Sequence, residues 1–224
     1  YGDVKFLYVS PERLATEAFR LRVQRMNVSL LAVDEAHCIS QWGYDFRPSY
    51  LRLAEIREYA PKATFLAVTA SATELVAKDI MYRLGFNQGK VLRSSFARPN
   101  LQYVVRKDGN KYEQLMRLVS NVEGSGIVYM STRDECEKLA QKLRDDGVSA
   151  QFYHAGLPVL ERSMRQDEWL SGKTRIMVAT NAFGMGIDKS DVRFVVHYTM
   201  CDTLEEYYQE AGRAGRDGKR CYAL

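Results

Sequence analysis

Cysteine is scarce and scattered in this chain: Cys38, Cys136, Cys201 and Cys221 are the full complement, and none stands in a Cys-x-x-Cys pair. That spacing argues against zinc and against a disulfide framework, and leaves reduced thiols as the reading. Long apolar runs are lacking too. No stretch approaches the roughly 18 residues of a membrane span and nothing resembles a cleaved signal, so a soluble, intracellular protein with no membrane partner is expected. Excess charge is small: 32 Lys and Arg against 28 Asp and Glu leave a net +4 over 224 residues. Composition alone therefore gives weak support for a polyanionic partner, and any nucleic-acid site must be local. Low-complexity segments and short repeats are also absent.

What is present is enough apolar material, 46% of residues, for a packed core. Short β-rich apolar runs alternate with helical patterns, which predicts an α/β fold with mostly parallel sheets flanked by helices. The strands are expected at Phe6 to Val9, Leu30 to Val33, Thr64 to Val68, Gly126 to Met130, Ala150 to Tyr153, Ile176 to Ala179 and Phe194 to His197. The all-apolar Leu30-Leu31-Ala32-Val33 suits a strand covered on both faces. Helix starts are marked by Ser10 before Pro11 and by the capping-box spacings Thr132/Glu135 and Thr203/Glu206. Cys136, Leu139, Ala140 and Leu143, and again Leu204, Tyr207, Tyr208 and Ala211, recur at the helical period. A boundary is expected near Ser95 to Asn100, at the turn-prone Arg98-Pro99-Asn100. It divides the chain into 1–95 and 96–224.

Asp34-Glu35-Ala36-His37 follows Leu30 to Val33 directly, so both carboxylates emerge at a strand's carboxyl end, where open α/β sheets bind ligands. An aspartate there can hold Mg²⁺ through water, and the next glutamate can orient or deprotonate the water that attacks a γ-phosphate. A strand simply ending in polar residues is the plainer alternative. The following loop, Cys38 to Pro48, gathers Trp42, Phe46 and Arg47. These could stack on bases and reach phosphate, or the aromatics could anchor the loop in the core. In the second half, Ser131 and Thr180 offer hydroxyls to phosphate oxygens, and Gly184 and Gly186 allow close backbone approach. His154 reads equally as a structural histidine. Arg213 and Arg216, three apart on an expected helix, share a face suited to charge on a transferring phosphoryl group; a solvated basic helix end is the alternative.

The run D-E-A-H-C-I-S-Q-W-G-x-D-F-R-P resembles motif II and the aromatic-rich loop of RecQ-family superfamily 2 DNA helicases. Val4 to Leu14, with Tyr8-Val9-Ser10-Pro11-Glu12-Arg13-Leu14, resembles the segment upstream of motif II that contacts the DNA backbone. Thr69-Ala70-Ser71-Ala72-Thr73 resembles motif III, Phe96 to Asn100 the interlobe linker, and Gln209 to Gly218 motif VI. The departures are small: Ser71 stands where threonine is commoner and Tyr44 where histidine is frequent.

The resemblance implies two RecA-like lobes, the first incomplete on its N-terminal side (1–95, DEAH box) and the second nearly complete (96–224). It implies ATP and Mg²⁺ as cofactors, with Asp34 holding Mg²⁺ through water, and catalytic roles for Glu35, Asp34, Arg216 as arginine finger, and Arg213. Nucleotide contacts fall on Asp34, Glu35, His37, Gly186, Asp188, Gln209, Arg213 and Arg216. DNA contacts fall on Ser10, Arg13, Trp42, Phe46, Arg47, Ser131, Arg133, His154, Gly156 and Thr180. The implied partners are single-stranded and duplex DNA, with 3′-to-5′ stepping in recombination and repair, in a bacterial cytoplasm or a eukaryotic nucleus. The family's Gly-x-x-x-x-Gly-Lys-Ser/Thr phosphate loop is expected upstream, and its zinc-binding and winged-helix modules downstream. No such loop lies within these residues, so the chain alone is expected to be inactive and to hold no zinc. A nucleic-acid-binding module without motor activity, and an RNA helicase of the same superfamily, are the competing readings.

Overall fold

The computed structural model describes residues 4–43, 45–107, 109–184 and 186–224. Two compact units divide the chain, Tyr1–Ser94 and Ser95–Leu224.

The first unit runs α1 (Pro11–Leu14), α2 (Glu17–Gln24), β1 (Leu30–Val33), two 3₁₀ segments (Ala36–Ile39 and Pro48–Glu55), α3 (Ile56–Tyr59), β2 (Thr64–Ala67) and α4 (Glu74–Arg83). β1 and β2 pair in parallel, Leu30 opposite Thr64 and Val33 opposite Ala67. Strand alternation sends Leu31, Val33, Phe65 and Ala67 toward the helices, where they meet Ile39, Leu53, Ile56, Val76 and Ile80. The opposite face is bare, with Leu30 55% exposed and Leu66 46%. This corrects the expectation that β1 is covered on both sides: among the described residues this unit's helices pack on one face only.

Two further expectations fail here. Phe6 to Val9 forms no strand, having no paired neighbour to supply ladder hydrogen bonds, and Phe6 and Tyr8 are exposed. Ser10 caps α1 through its backbone carbonyl, which accepts from the Arg13 and Leu14 N–H groups, and not through its hydroxyl.

The second unit runs β3 (Leu101–Tyr103), α5 (Lys111–Asn121), β4 (Ser125–Tyr129), α6 (Arg133–Asp145), β5 (Ala150–Tyr153), α7 (Val159–Leu170), β6 (Ile176–Ala179), β7 (Val192–His197), α8 (Leu204–Ala211) and β8 (Cys221–Ala223). The sheet order is β3-β8-β7-β4-β6-β5, parallel throughout. Here the central strands are buried on both faces. Ile127, Tyr129, Met177 and Ala179 enter one core with Trp169 and Phe183, while Val128, Ile176 and Val178 enter the other with Leu115, Leu139 and Leu143. Gly126 lets the strands pack this closely, since a Cβ there would overlap the Phe194 ring. Both capping boxes form: Thr132 and Thr203 accept from the N–H groups of Glu135 (3.3 Å) and Glu206 (3.1 Å).

α8 ends at Ala211, so Arg213 and Arg216 lie in the turns beyond it and share no helix face. Gly212 and Gly215 cause the stop, Gly215 holding a φ of 61° that a side chain would resist.

Candidate nucleotide and nucleic-acid sites

At the carboxyl end of β1 the chain turns sharply. Glu35 takes φ 48° and ψ 43°, and it alone among the described non-glycine residues has positive φ. A left-handed glutamate is strained, and such strain persists only where neighbours over-determine it. They do so here: the Glu35 N–H donates to Asp34 Oδ1 (2.8 Å), the Ala36 N–H to Val68 O (3.0 Å) and the Val68 N–H to Val33 O (2.9 Å). Asp34 is exposed and Glu35 half-buried.

Behind them His37 is buried, its Nδ1 3.0 Å from Thr69 Oγ1 and 3.4 Å from Glu35 Oε2. One imidazole thus ties the carboxylate turn to the segment Thr69 to Thr73, whose last residue caps α4. Burial, ahead of the opposing pull of Asp45, pushes the His37 pKa down. As pH falls below the ordinary 6.5 of imidazole, the unfolded chain takes up a proton that the folded one resists. His37 therefore contributes its full stability above that pH, and the contribution is lost progressively on acidification. His37→Gln is expected to flatten the acid limb of the first unit's stability profile, measured by denaturant melts between pH 5 and 8.

The aromatic loop folds back on itself. The Arg47 N–H donates to Cys38 O (2.8 Å), and the Gly43 N–H to Ser40 O (3.1 Å), where a Cβ would come within 2.7 Å of His37 O. Trp42 is 68% exposed, so it is not a core anchor; Phe46 is half-buried. Arg47 is paired with Asp45 through Nη2 at 2.6 Å, which raises its pKa further. Tyr44 lies outside the described residues. Ser10 and Arg13 are exposed, at the start of α1.

In the second unit, the carboxyl ends of β4, β5 and β6 bring together Ser131, His154, Gly156 and Thr180. Arg133 packs on Gly156, whose Cβ would meet Nη1 at 2.9 Å. Ser131 and Arg133 are exposed and Thr180 half-buried. His154 is buried and held by Glu137 at 2.9 Å.

The arginines differ from each other. Arg213 is 9% exposed and its Nη1 donates to Gly184 O at 2.6 Å; a Cβ on Gly184 would sit 2.6 Å from Nη2. Arg216 is exposed and paired with Asp188 at 2.7 Å. Gln209 is half-buried and, among the described residues, hydrogen-bonds neither arginine. Gly186, at φ 76°, leaves its surroundings open; Met185 lies outside the described residues.

Sequence reasoning missed what holds the arginine turn. Arg98 donates to Gly212 O (3.2 Å), Ala214 O (2.8 Å) and Gly215 O (3.0 Å), and Asn100 Nδ2 to Gly215 O (2.7 Å) and Lys219 O (2.9 Å). The Arg-Pro-Asn signal was visible as a turn, but its partners lie more than a hundred residues away. Arg98→Ala is expected to cost about 2 kcal/mol by removing three hydrogen bonds to the arginine turn, and to speed hydrogen exchange at residues 212–215. Tyr129 was missed as well. Its hydroxyl donates to Phe183 O (2.8 Å), beside Arg213. The chain's Gly172-Lys173-Thr174 is no phosphate loop, for it follows the carboxyl end of α7, where the helix dipole repels anions, and Lys173 is paired with Glu168.

Comparison with known proteins accounts for this arrangement. The "DEAD/DEAH box helicase" family matches residues 1–80 and the "Helicase conserved C-terminal domain" family residues 110–218. The "ATP-dependent DNA helicase hus2/rqh1" of Schizosaccharomyces pombe is 48% identical over 99% of this chain and 17% of its own length. The "ATP-dependent DNA helicase RecQ" of Pasteurella multocida is 46% identical over 96% of this chain and 34% of its own. RecQ helicases are what this chain is similar to over nearly all of its length. It spans about a third or less of the length of these relatives. The fold of the chain is also that of Saccharomyces cerevisiae Dbp5, solved bound to RNA and ADP BeF3. That match has a TM-score of 0.69 at 21% identity, over 91% of this chain and 55% of the other. No helix among the described residues is long and apolar enough to cross a membrane.

Proposed function

We propose that this chain is the part of an ATP-dependent 3′-to-5′ DNA helicase that senses the γ-phosphate and grips one DNA strand, in a protein serving recombination and repair. The observation that carries the reading is the strained Glu35, held beside Asp34 and tied through His37 to Thr69. A strained carboxylate at a strand's carboxyl end, in a chain of helicase relatives, is a base aimed at water.

Mg²⁺ and ATP fit these residues: Asp34 is an exposed hard oxygen donor that no cationic side chain neutralises among the described residues. When bound, Mg²⁺-ATP supplies the phosphoryl group and the charge that neutralises it. Asp34 holds the hydrated cation, Glu35 orients and deprotonates water, and His37 keeps Glu35 in place. Arg216, exposed and paired with Asp188, would offer its guanidinium to phosphate charge, while Arg213 braces the loop that carries Gly184 and Gly186. Ser131, Arg133, Gly156 and Thr180 track the DNA backbone, with Ser10 and Arg13 doing the same from the first unit. Trp42 stacks on an unpaired base beside Phe46 and Arg47. The proposed division into lobes falls at residues 95–96. With no phosphate loop among them, these 224 residues alone do not turn over ATP.

The test is Trp42→Ala in the intact protein. The single-stranded DNA concentration that half-maximally stimulates ATP hydrolysis is expected to rise about tenfold or more, the worth of one stacked base. Unchanged stimulation would remove Trp42 from the DNA path, and equal stimulation by RNA would contradict DNA as the substrate.

A further inference from the structure

A second constellation lies at the carboxyl end of β7, beside Ser131 and Thr180. His197 is buried and its Nε2 lies 2.9 Å from Glu210 Oε2; Glu210 is itself 5% exposed. Cys201, in the loop after β7, completes a cluster whose donor atoms all lie within 4.8 Å of one another. Glu210 and Cys201 line a cavity of about 160 Å³ that also presents Asp202, Glu206, Ser131 and Thr180, and no lysine or arginine.

We propose that His197, Cys201 and Glu210 bind a zinc-class divalent cation entering through this cavity. The balance of buried charge supports it. A carboxylate taken out of water needs strong compensation, yet Glu210 has only an imidazole as hydrogen-bond partner. Among the described residues His197 Nδ1 is buried without a partner, and the half-buried Cys201 is in no disulfide. A divalent cation taking the imidazole, the thiolate and a Glu210 oxygen compensates the buried carboxylate, and these three together are the donor set that favours zinc over magnesium. Tetrahedral ligand atoms around zinc stand roughly 3.3–3.8 Å apart given metal–ligand bonds of 2.0–2.3 Å, so closing the cluster takes movements of about an ångström. The ring is already oriented, between Tyr129 (centroids 5.7 Å) and Tyr207 (4.5 Å). Water fills the fourth position from the cavity, and the thiol yields its proton to solvent on binding.

The other cluster of this kind, His37 with Cys38 and Asp45, is unsuitable. Arg47 already neutralises the same Asp45 oxygen that the thiol approaches. Cysteine spacing pointed away from zinc because the three ligands come from a strand end, a loop and the last turn of α8, with no Cys-x-x-Cys to announce them.

The test is titration of the 224-residue chain with Co²⁺, read by thiolate-to-cobalt charge-transfer absorption, and with Zn²⁺ by calorimetry. One equivalent should bind with a thiolate band. Cys201→Ser and Cys201→Ala should each abolish the band and weaken Zn²⁺ binding by more than about tenfold, since even outer partners of metal ligands are worth that much. Both variants should keep the metal-free melting temperature, and Cys38→Ser should bind as the parent does. No thiolate band, undiminished binding by Cys201→Ser, or loss in Cys38→Ser would each overturn the proposal.

Discussion

Glu35→Gln in the intact protein is expected, on the proposed function, to lower ATP turnover about 1,000-fold at saturating ATP, within the range that a positioned general base contributes. The carboxamide keeps the shape and the hydrogen-bonding reach of the side chain but cannot take a proton. Nucleotide binding should persist, because the left-handed backbone is held by the Asp34 carboxylate and by the Ala36 N–H to Val68 carbonyl bond, not by the Glu35 carboxylate. Turnover and binding of a labelled nucleotide, measured side by side with and without DNA, separate the two. Turnover within tenfold of the parent would take the base role from Glu35. Loss of binding in step with turnover would make it a binding residue.

Trp169→Ala is expected to cost about 3–5 kcal/mol of the second unit's stability, the usual range for emptying a large aromatic site in a core. Trp169 is buried beneath the sheet, edge-on to Phe183 at 5.2 Å, and its indole N–H donates to Gly126 O at 3.3 Å. Truncation leaves a cavity and removes the indole bond at Gly126, the point where the Phe194 ring presses on the strand from the other face. Denaturant melts should show a lower midpoint with an unchanged slope. A loss under 1 kcal/mol would mean that neighbouring side chains collapse into the space.

Much of the second unit could be read from the sequence because its strands are covered on both faces. Ile176 to Ala179 and Ala150 to Tyr153 fall where their apolar runs put them, and the threonine caps mark α6 and α8. β3 and β8 escaped notice, since three residues are too few for a periodicity to register. Phe6 to Val9 misled for the opposite reason: an apolar run states a preference, and a strand also needs a neighbour. Within the candidate sites, Asp34, Glu35 and Trp42 could be placed from local order alone. The arginine pair could not, because two glycines end the helix between Ala211 and Arg216 and send one guanidinium inward and the other to the surface. Arg98 and Tyr129 act through partners distant in sequence, which no window of residues contains.

Arg98 leaves one mechanical consequence. Its guanidinium fastens the stretch that opens the second unit to the carbonyls on either side of Arg213. A pull on residues 95–97 must therefore either drag the arginine turn with it or break three charge-assisted bonds together.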